Sequence, residues 1–154
     1  MDRMQSLKIM VGTMAVTPII IGVIFGVGGI LPDATIVHGS EAAVTAGLAL
    51  LTGLIGYFLA PRLIKPLEPT RDHQPDLGQA MARIQGVTPI AAAVAESGFM
   101  LAIVMAFIGP YTGGSLLVAA PVGALAVYFA AFPSPGRIET YKRRLESAGG
   151  RSGL

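Results

Sequence analysis

Four stretches of this chain lack charge almost entirely, and each is long enough to cross about 30 Å of hydrocarbon. They run over 9–32, 42–60, 84–109 and 113–132, and Glu96 is the only Asp, Glu, Lys, Arg or His inside them. In lipid a backbone must satisfy its own N–H and C=O groups, so an uninterrupted apolar stretch of this length is expected to be a helix. Pro18, Pro89 and Pro121 fall inside these stretches, where membrane helices tolerate them because neighbours supply the missing partners. Arg3 and Lys8 precede the first stretch as they would in a signal peptide. The apolar run is too long for that, and it is expected to remain as an uncleaved helix.

Composition agrees. Charged residues make up 13% of the 154 residues and hydrophobic residues 53%, against about 25% charged in a soluble domain. A water-soluble catalytic domain is excluded on this count. No glycine-rich phosphate loop, nucleophile–base pair or nucleic-acid module is present, so no enzyme, cofactor or nucleic-acid partner is expected. The chain has no cysteine, which excludes disulfides and thiolate metal sites. The expected fold is all-α and polytopic, with a four-helix membrane domain over 1–132 and a tail over 133–154.

The basic residues set an orientation. Arg3 and Lys8 precede the first span. Arg62, Lys65, Arg71 and Arg83 lie in or beside the 61–83 loop, and Arg137, Lys142, Arg143, Arg144 and Arg151 follow the fourth span. These are all eleven Lys and Arg, and the loops at 33–41 and 110–112 hold none. The positive-inside rule then puts both termini and the 61–83 loop in the cytoplasm, as expected for a bacterial cytoplasmic (inner) membrane.

The two halves share an offset. Val16-Thr17-Pro18-Ile19 recurs 71 residues later as Val87-Thr88-Pro89-Ile90, Tyr57-Phe58 as Tyr128-Phe129, and Ala60 as Ala131. Each half holds two spans, which predicts two hairpins related as parallel repeats about an axis along the membrane normal. Gly22 and Gly26 fall on Ala93 and Ser97 under this offset. Small residues four apart let helix backbones approach, so these four are the expected helix-packing positions, where the first and third helices meet each other or a neighbour.

Glu96 stands about 20 Å along its helix from Arg83, at 1.5 Å per residue, near the bilayer centre. A charge there costs roughly 2.5–3.5 kcal/mol on insertion scales, so the expected resting form is the neutral acid. Its repeat counterpart is Phe25, and no span holds a cation. Its candidate partners are the hydroxyls of Thr17, Thr45, Thr52 and Ser97. Two roles follow: a protonated acid that locks helix packing, or a proton-binding carboxylate.

Residues 46–109 also resemble the hairpin of the rotary ATP synthase ring subunit. Asp72-His73-Gln74-Pro75-Asp76-Leu77 resembles that family's polar loop, with Arg83 at the helix entry, and Ala93-Val94-Ala95-Glu96 stands at the family's acid. The resemblance implies that Glu96 carries a proton past a stator arginine. The family's alternating glycines are reduced here to Gly47, Gly53 and Gly56, and His73 replaces the loop arginine.

In the outer loop, Asp33, His38 and Glu41 are oxygen and nitrogen donors close in sequence. No metal site is expected of them; Gly39-Ser40-Glu41 predicts a turn and helix N-cap followed by an acid in the first turn. His73, among Asp72 and Asp76, is expected in solvent. In the tail, Ser134 and Pro135 open a helix, Glu139 and Arg143 form an i,i+4 pair, and Gly149-Gly150 ends it. Ile138, Tyr141 and Leu145 share one face, with Lys142, Arg143 and Arg144 around it. Such a basic amphipathic helix is expected on anionic headgroups, docking on a partner subunit being the rival. Arg151 to Leu154 read as a loose end. The expected function is that of a non-enzymatic accessory or structural subunit, packed against other membrane subunits or copies of itself in the bilayer. The alternative is a proton or ion carrier using Glu96, and the third is a small transporter.

Overall fold

The computed structural model describes residues 3–27, 38–69, 74–109 and 111–154. Their order is α1 (Arg3–Val27), α2 (Gly39–Leu63), α3 (Leu77–Ile108), α4 (Gly113–Ala131) and α5 (Pro135–Leu145), followed by a 3₁₀ turn at Glu146–Ala148. No strand occurs among the described residues. The first four helices are long and apolar enough to cross a membrane. The fold is therefore all-α and polytopic.

Two helices extend beyond their apolar stretches. α3 begins at Leu77 because Asp76 caps it, accepting from the Gln79 backbone N–H at 2.8 Å. α2 runs through Pro61 to Leu63, so its last turn carries Arg62. Helix α2 starts after His38, which stands at the N-cap position without a side-chain cap bond. Ser40 therefore sits inside the first turn rather than capping it.

The main neighbour of each helix comes from the other half of the chain. α1 packs on α4 and α2 on α3, with α2 and α3 both against α4; α1 makes no comparable contact with α2 among the described residues. Side-chain size decides these pairings. Lipid tails are as apolar as leucine, so helices associate by close packing rather than by hiding large side chains. The interior is accordingly alanine-rich, with Ala49, Ala60, Ala91, Ala95, Ala119 and Ala130 fully enclosed, while Ile20, Leu50, Leu54 and Phe58 face outward. Gly22 and Gly26 face α4: a Cβ on Gly22 would collide with the Ala120 methyl, and one on Gly26 would lie 2.6 Å from Leu117 Cδ2. On α2, a Cβ at Gly56 would lie 2.6 Å from the Ala91 carbonyl oxygen of α3.

Helix α5 closes the end of the bundle that carries the basic residues. Tyr141 and Leu145 are buried in one cluster with Leu7 of α1, Ala60 of α2, Ile64 and Leu67 beyond it, and Ala80 and Ile84 of α3. The apolar face expected on headgroups is thus covered by the bundle's own end. The expected loose end is also tied down. The Arg151 carbonyl accepts from the Asp76 N–H at 2.9 Å, and Glu146 Oε1 accepts from the Ser152 N–H and hydroxyl at 3.0 and 2.7 Å. The physical cause is the left-handed turn at Gly149 (φ 89°), which folds the chain back, and Gly150, whose missing side chain lets it lie on Leu67.

Candidate functional site

Glu96 sits on the flank of α3. On one side lie the buried Ala92, Ala95 and Phe99; on the other lie the exposed Ala93, Ser97 and Met100. Its side chain is half-buried, and Oε1 is enclosed without a hydrogen-bond partner. Three turns further along the same flank, Phe107 meets Phe25 of α1 edge-to-face, with ring centroids 5.3 Å apart. The Glu96 flank therefore looks toward α1, and α1–α3 is the least extensive of the packed pairs among the four long helices.

The hydroxyls expected to serve Glu96 are engaged elsewhere. Thr17 donates to the Thr13 carbonyl at 3.3 Å, Ser97 to Val94 at 2.7 Å, and Thr45 to Glu41 at 3.0 Å. Each is a helical back-bond, the arrangement that competes most directly for a hydroxyl proton in a helix interior. Thr52 lies within reach of the Leu48 carbonyl of its own helix and the Ala95 carbonyl of α3, both at 3.0 Å. It thus ties α2 to α3 one residue before Glu96 and leaves the acid itself unserved. Gly98 makes that approach possible, since a Cβ there would strike the Leu48 carbonyl and the Thr52 hydroxyl.

The four expected packing residues divide. Gly22 and Gly26 face α4, while Ala93 and Ser97 lie exposed on α3. Of the residues that carry the ring-subunit resemblance, Asp72 and His73 lie outside the described residues. Gly47 is exposed, and Gly53 and Gly56 are buried against α4 and α3.

At the end opposite α5, Asp33 lies outside the described residues and His38 is exposed. Glu41 lies in the first turn of α2, as expected, and also reaches the start of α4. Its Oε2 accepts from the Thr112 backbone N–H at 2.8 Å and from the Thr112 hydroxyl at 3.0 Å. Thr112 is the N-cap of α4, so the carboxylate of α2 meets the positive end of the α4 dipole.

The basic residues of the tail have different fates. Arg143 pairs with Glu139 at 3.2 Å, both well exposed. Arg144 is exposed. Lys142 is turned away from them and donates to the Leu154 carbonyl at 2.8 Å. Arg137 is 4% exposed, its guanidinium 4.5 Å from the centre of the Tyr57 ring. Its Nε donates to the Tyr141 hydroxyl at 2.8 Å, and Nη2 to the Tyr57 carbonyl at 3.3 Å. That carbonyl needs a donor because Pro61, four residues on, has no N–H to give it. Burial pushes the Tyr141 hydroxyl above the ordinary tyrosine range, with Arg137 pulling the other way. Sequence reasoning counted Arg137 among the positive charges of the cytoplasmic side and missed this role.

Comparison with protein families, curated proteins and solved structures finds no match to this chain.

Proposed function

We propose that this protein is a non-enzymatic subunit of a larger membrane assembly, and that a neighbouring membrane helix packs on the α3 flank around Glu96. The observation that carries this reading is the enclosed, unpartnered Oε1 of Glu96 beside the exposed small residues Ala93 and Ser97. A buried polar atom left without a partner costs about 1–3 kcal/mol. A neighbouring helix laid against these small residues can bring a polar group to the exposed part of the half-buried carboxyl, and turning the carboxyl toward it removes that cost. The sparse contact between α1 and α3 leaves room for it. The proposed orientation puts the α5 end in the cytoplasm of a bacterial cell, on the placement of the eleven basic residues.

The test is in-membrane photocrosslinking from Ala93 and Ser97, each replaced in turn by a photoreactive residue, with Gly47 on the exposed face of α2 as control. A protein adduct specific to Ala93 and Ser97 is expected, weakened by Glu96→Leu and retained in Glu96→Gln. Lipid adducts alone from both positions would refute the reading.

A second reading, the proton carrier resembling a ring subunit, draws support from the same flank: the Glu96 side chain is only half-buried and stands beside the exposed Ala93, Ser97 and Met100. There the Gln variant would assemble and lose proton-coupled activity.

A further inference from the structure

We infer that the protein holds one anionic phospholipid at a built, two-part site: a guanidinium recess between α2 and α5 and an apolar groove below it between α2 and α4. The inference rests on the membrane-spanning reading alone and does not involve the Glu96 flank, which lies on α3.

The polar part is a shallow recess of about 430 Å³ lined by Pro61, Arg62, Thr140, Arg143, Arg144 and Ser147. Thr140, Arg143 and Arg144 of α5 and Ser147 of the 3₁₀ turn line one side, and Arg62 at the end of α2 lines the other. The two hydroxyls add no donors, since Thr140 donates to the Gly136 carbonyl at 2.9 Å and Ser147 to the Arg144 carbonyl at 2.8 Å. The donors offered to a ligand are guanidinium N–H groups, whose fork matches a phosphate. Glu139 is the one acid paired here, and its exposed bond to Arg143 is a surface pair of small net value, which a phosphate can displace.

The apolar part is a groove of about 390 Å³ lined by Leu50, Leu54, Phe58, Leu125 and Phe129, with Gly53 on its floor. Its α2 positions recur at helical spacing, and the same strip continues through Pro61 into the recess. From Leu50 to Phe58 it spans about 12 Å of helix, enough to seat a length of acyl chain. A soluble phosphate ester has no use for this groove, and an uncharged lipid has none for three guanidinium groups. A ligand that satisfies both is an anionic glycerophospholipid.

The site separates residues that a general surface attraction treats alike. Lys142 is adjacent in sequence but engaged with Leu154, so it lies outside the site. The test uses the full chain in phosphatidylcholine nanodiscs with and without phosphatidylglycerol, with native mass spectrometry reading the retained lipid. One phosphatidylglycerol is expected to be retained per chain. Near an anionic membrane each basic residue contributes about 1 kcal/mol, so Arg62→Gln, Arg143→Gln and Arg144→Gln should each lower retention about fivefold. Lys142→Gln should leave it unchanged, and Leu125→Trp, which fills the groove without touching charge, should lower it. Equal loss from Lys142→Gln and Arg143→Gln would overturn the site in favour of unspecific surface charge. Displacement of the lipid by free glycerol phosphate, or no effect of Leu125→Trp, would overturn the two-part ligand.

Discussion

Gly53 offers the sharpest test of how this bundle is held together. It faces α4, where an added Cβ would lie 2.6 Å from the Ala126 methyl and 3.1 Å from Ala126 Cα. Carbon atoms pack at about 3.5–4.0 Å, so Gly53→Ala requires α2 and α4 to separate by about 1 Å at this point. Such overpacking costs about 1–3 kcal/mol. The same substitution also gains up to about 1 kcal/mol of helix propensity, which would blur the result. Gly47 removes that ambiguity. It lies on the same helix, and an added Cβ there meets nothing within 4 Å. Gly47→Ala therefore carries the propensity gain without the collision. In reversible unfolding in mixed micelles, Gly53→Ala is expected to be less stable than Gly47→Ala by the overpacking cost. Adding Ala126→Gly to Gly53→Ala restores the missing space and should recover most of the loss, a coupling expected only between residues in contact. Equal stability of the two alanine variants, or no recovery in the double variant, would refute the small-residue account of the α2–α4 contact.

Two further outcomes follow from the α5 end. Arg137→Lys keeps the charge but has no fork to reach both Tyr141 and the Tyr57 carbonyl; it should cost about 1–3 kcal/mol and raise protease cleavage after α5. Adding Pro61→Ala, which restores an N–H partner for Tyr57, should reduce that cost. Glu146 is held below the usual carboxylate range by the hydrogen bonds from Ser152. A depressed carboxyl contributes stability that is complete above its unfolded value of about 4.3 and lost as pH falls through the folded value. The protection factor of the Ser152 amide, its exchange rate relative to the unstructured rate at the same pH, should therefore fall as pH drops below that range, and Glu146→Gln should abolish that pH dependence of protection.

The spans were legible because the bilayer imposes one requirement on every residue of a spanning segment, and charge placement displays it directly. Helix ends were less legible, since they depend on single side chains. Asp76 extends α3 well before its apolar stretch, and Pro61 fails to end α2 because Arg137 takes over the carbonyl it frees. Packing faces were legible only in part. Gly22 and Gly26 are visible as a small pair and do face α4, whereas the offset places Ala93 and Ser97 in an equivalent role while the structure leaves them exposed. The α3 strip against α2 includes Ala91, Ala95 and Gly98, all three within two residues of those positions. On a helix one residue is a turn of about 100°, and an offset between repeats carries no information finer than that when all candidates are small.

The basic residues show the same limit from the side of charge. The positive-inside rule counts Lys and Arg, and in that count all eleven are equal. Among the described residues they divide by the carbonyls and carboxylates within reach. Arg83 donates to the carbonyls of Lys65 and Pro66, just past the end of α2, and to the Gln79 side chain at 2.9 Å. Arg137 serves the Tyr57 carbonyl within α2, and Lys142 serves Leu154. The Tyr57 carbonyl is one that an interior proline leaves without its N–H partner, and the carbonyls of Lys65, Pro66 and Leu154 lie outside any helix; the long cationic side chains nearby satisfy them. Once these are engaged, Arg62, Arg143 and Arg144 line one recess, with Arg143 tied only to an exposed Glu139. Which basic residues at this end line the recess is thus set by the carbonyls within reach of each. Charge count alone places Lys142 among them, and the hydrogen bond to Leu154 takes it out.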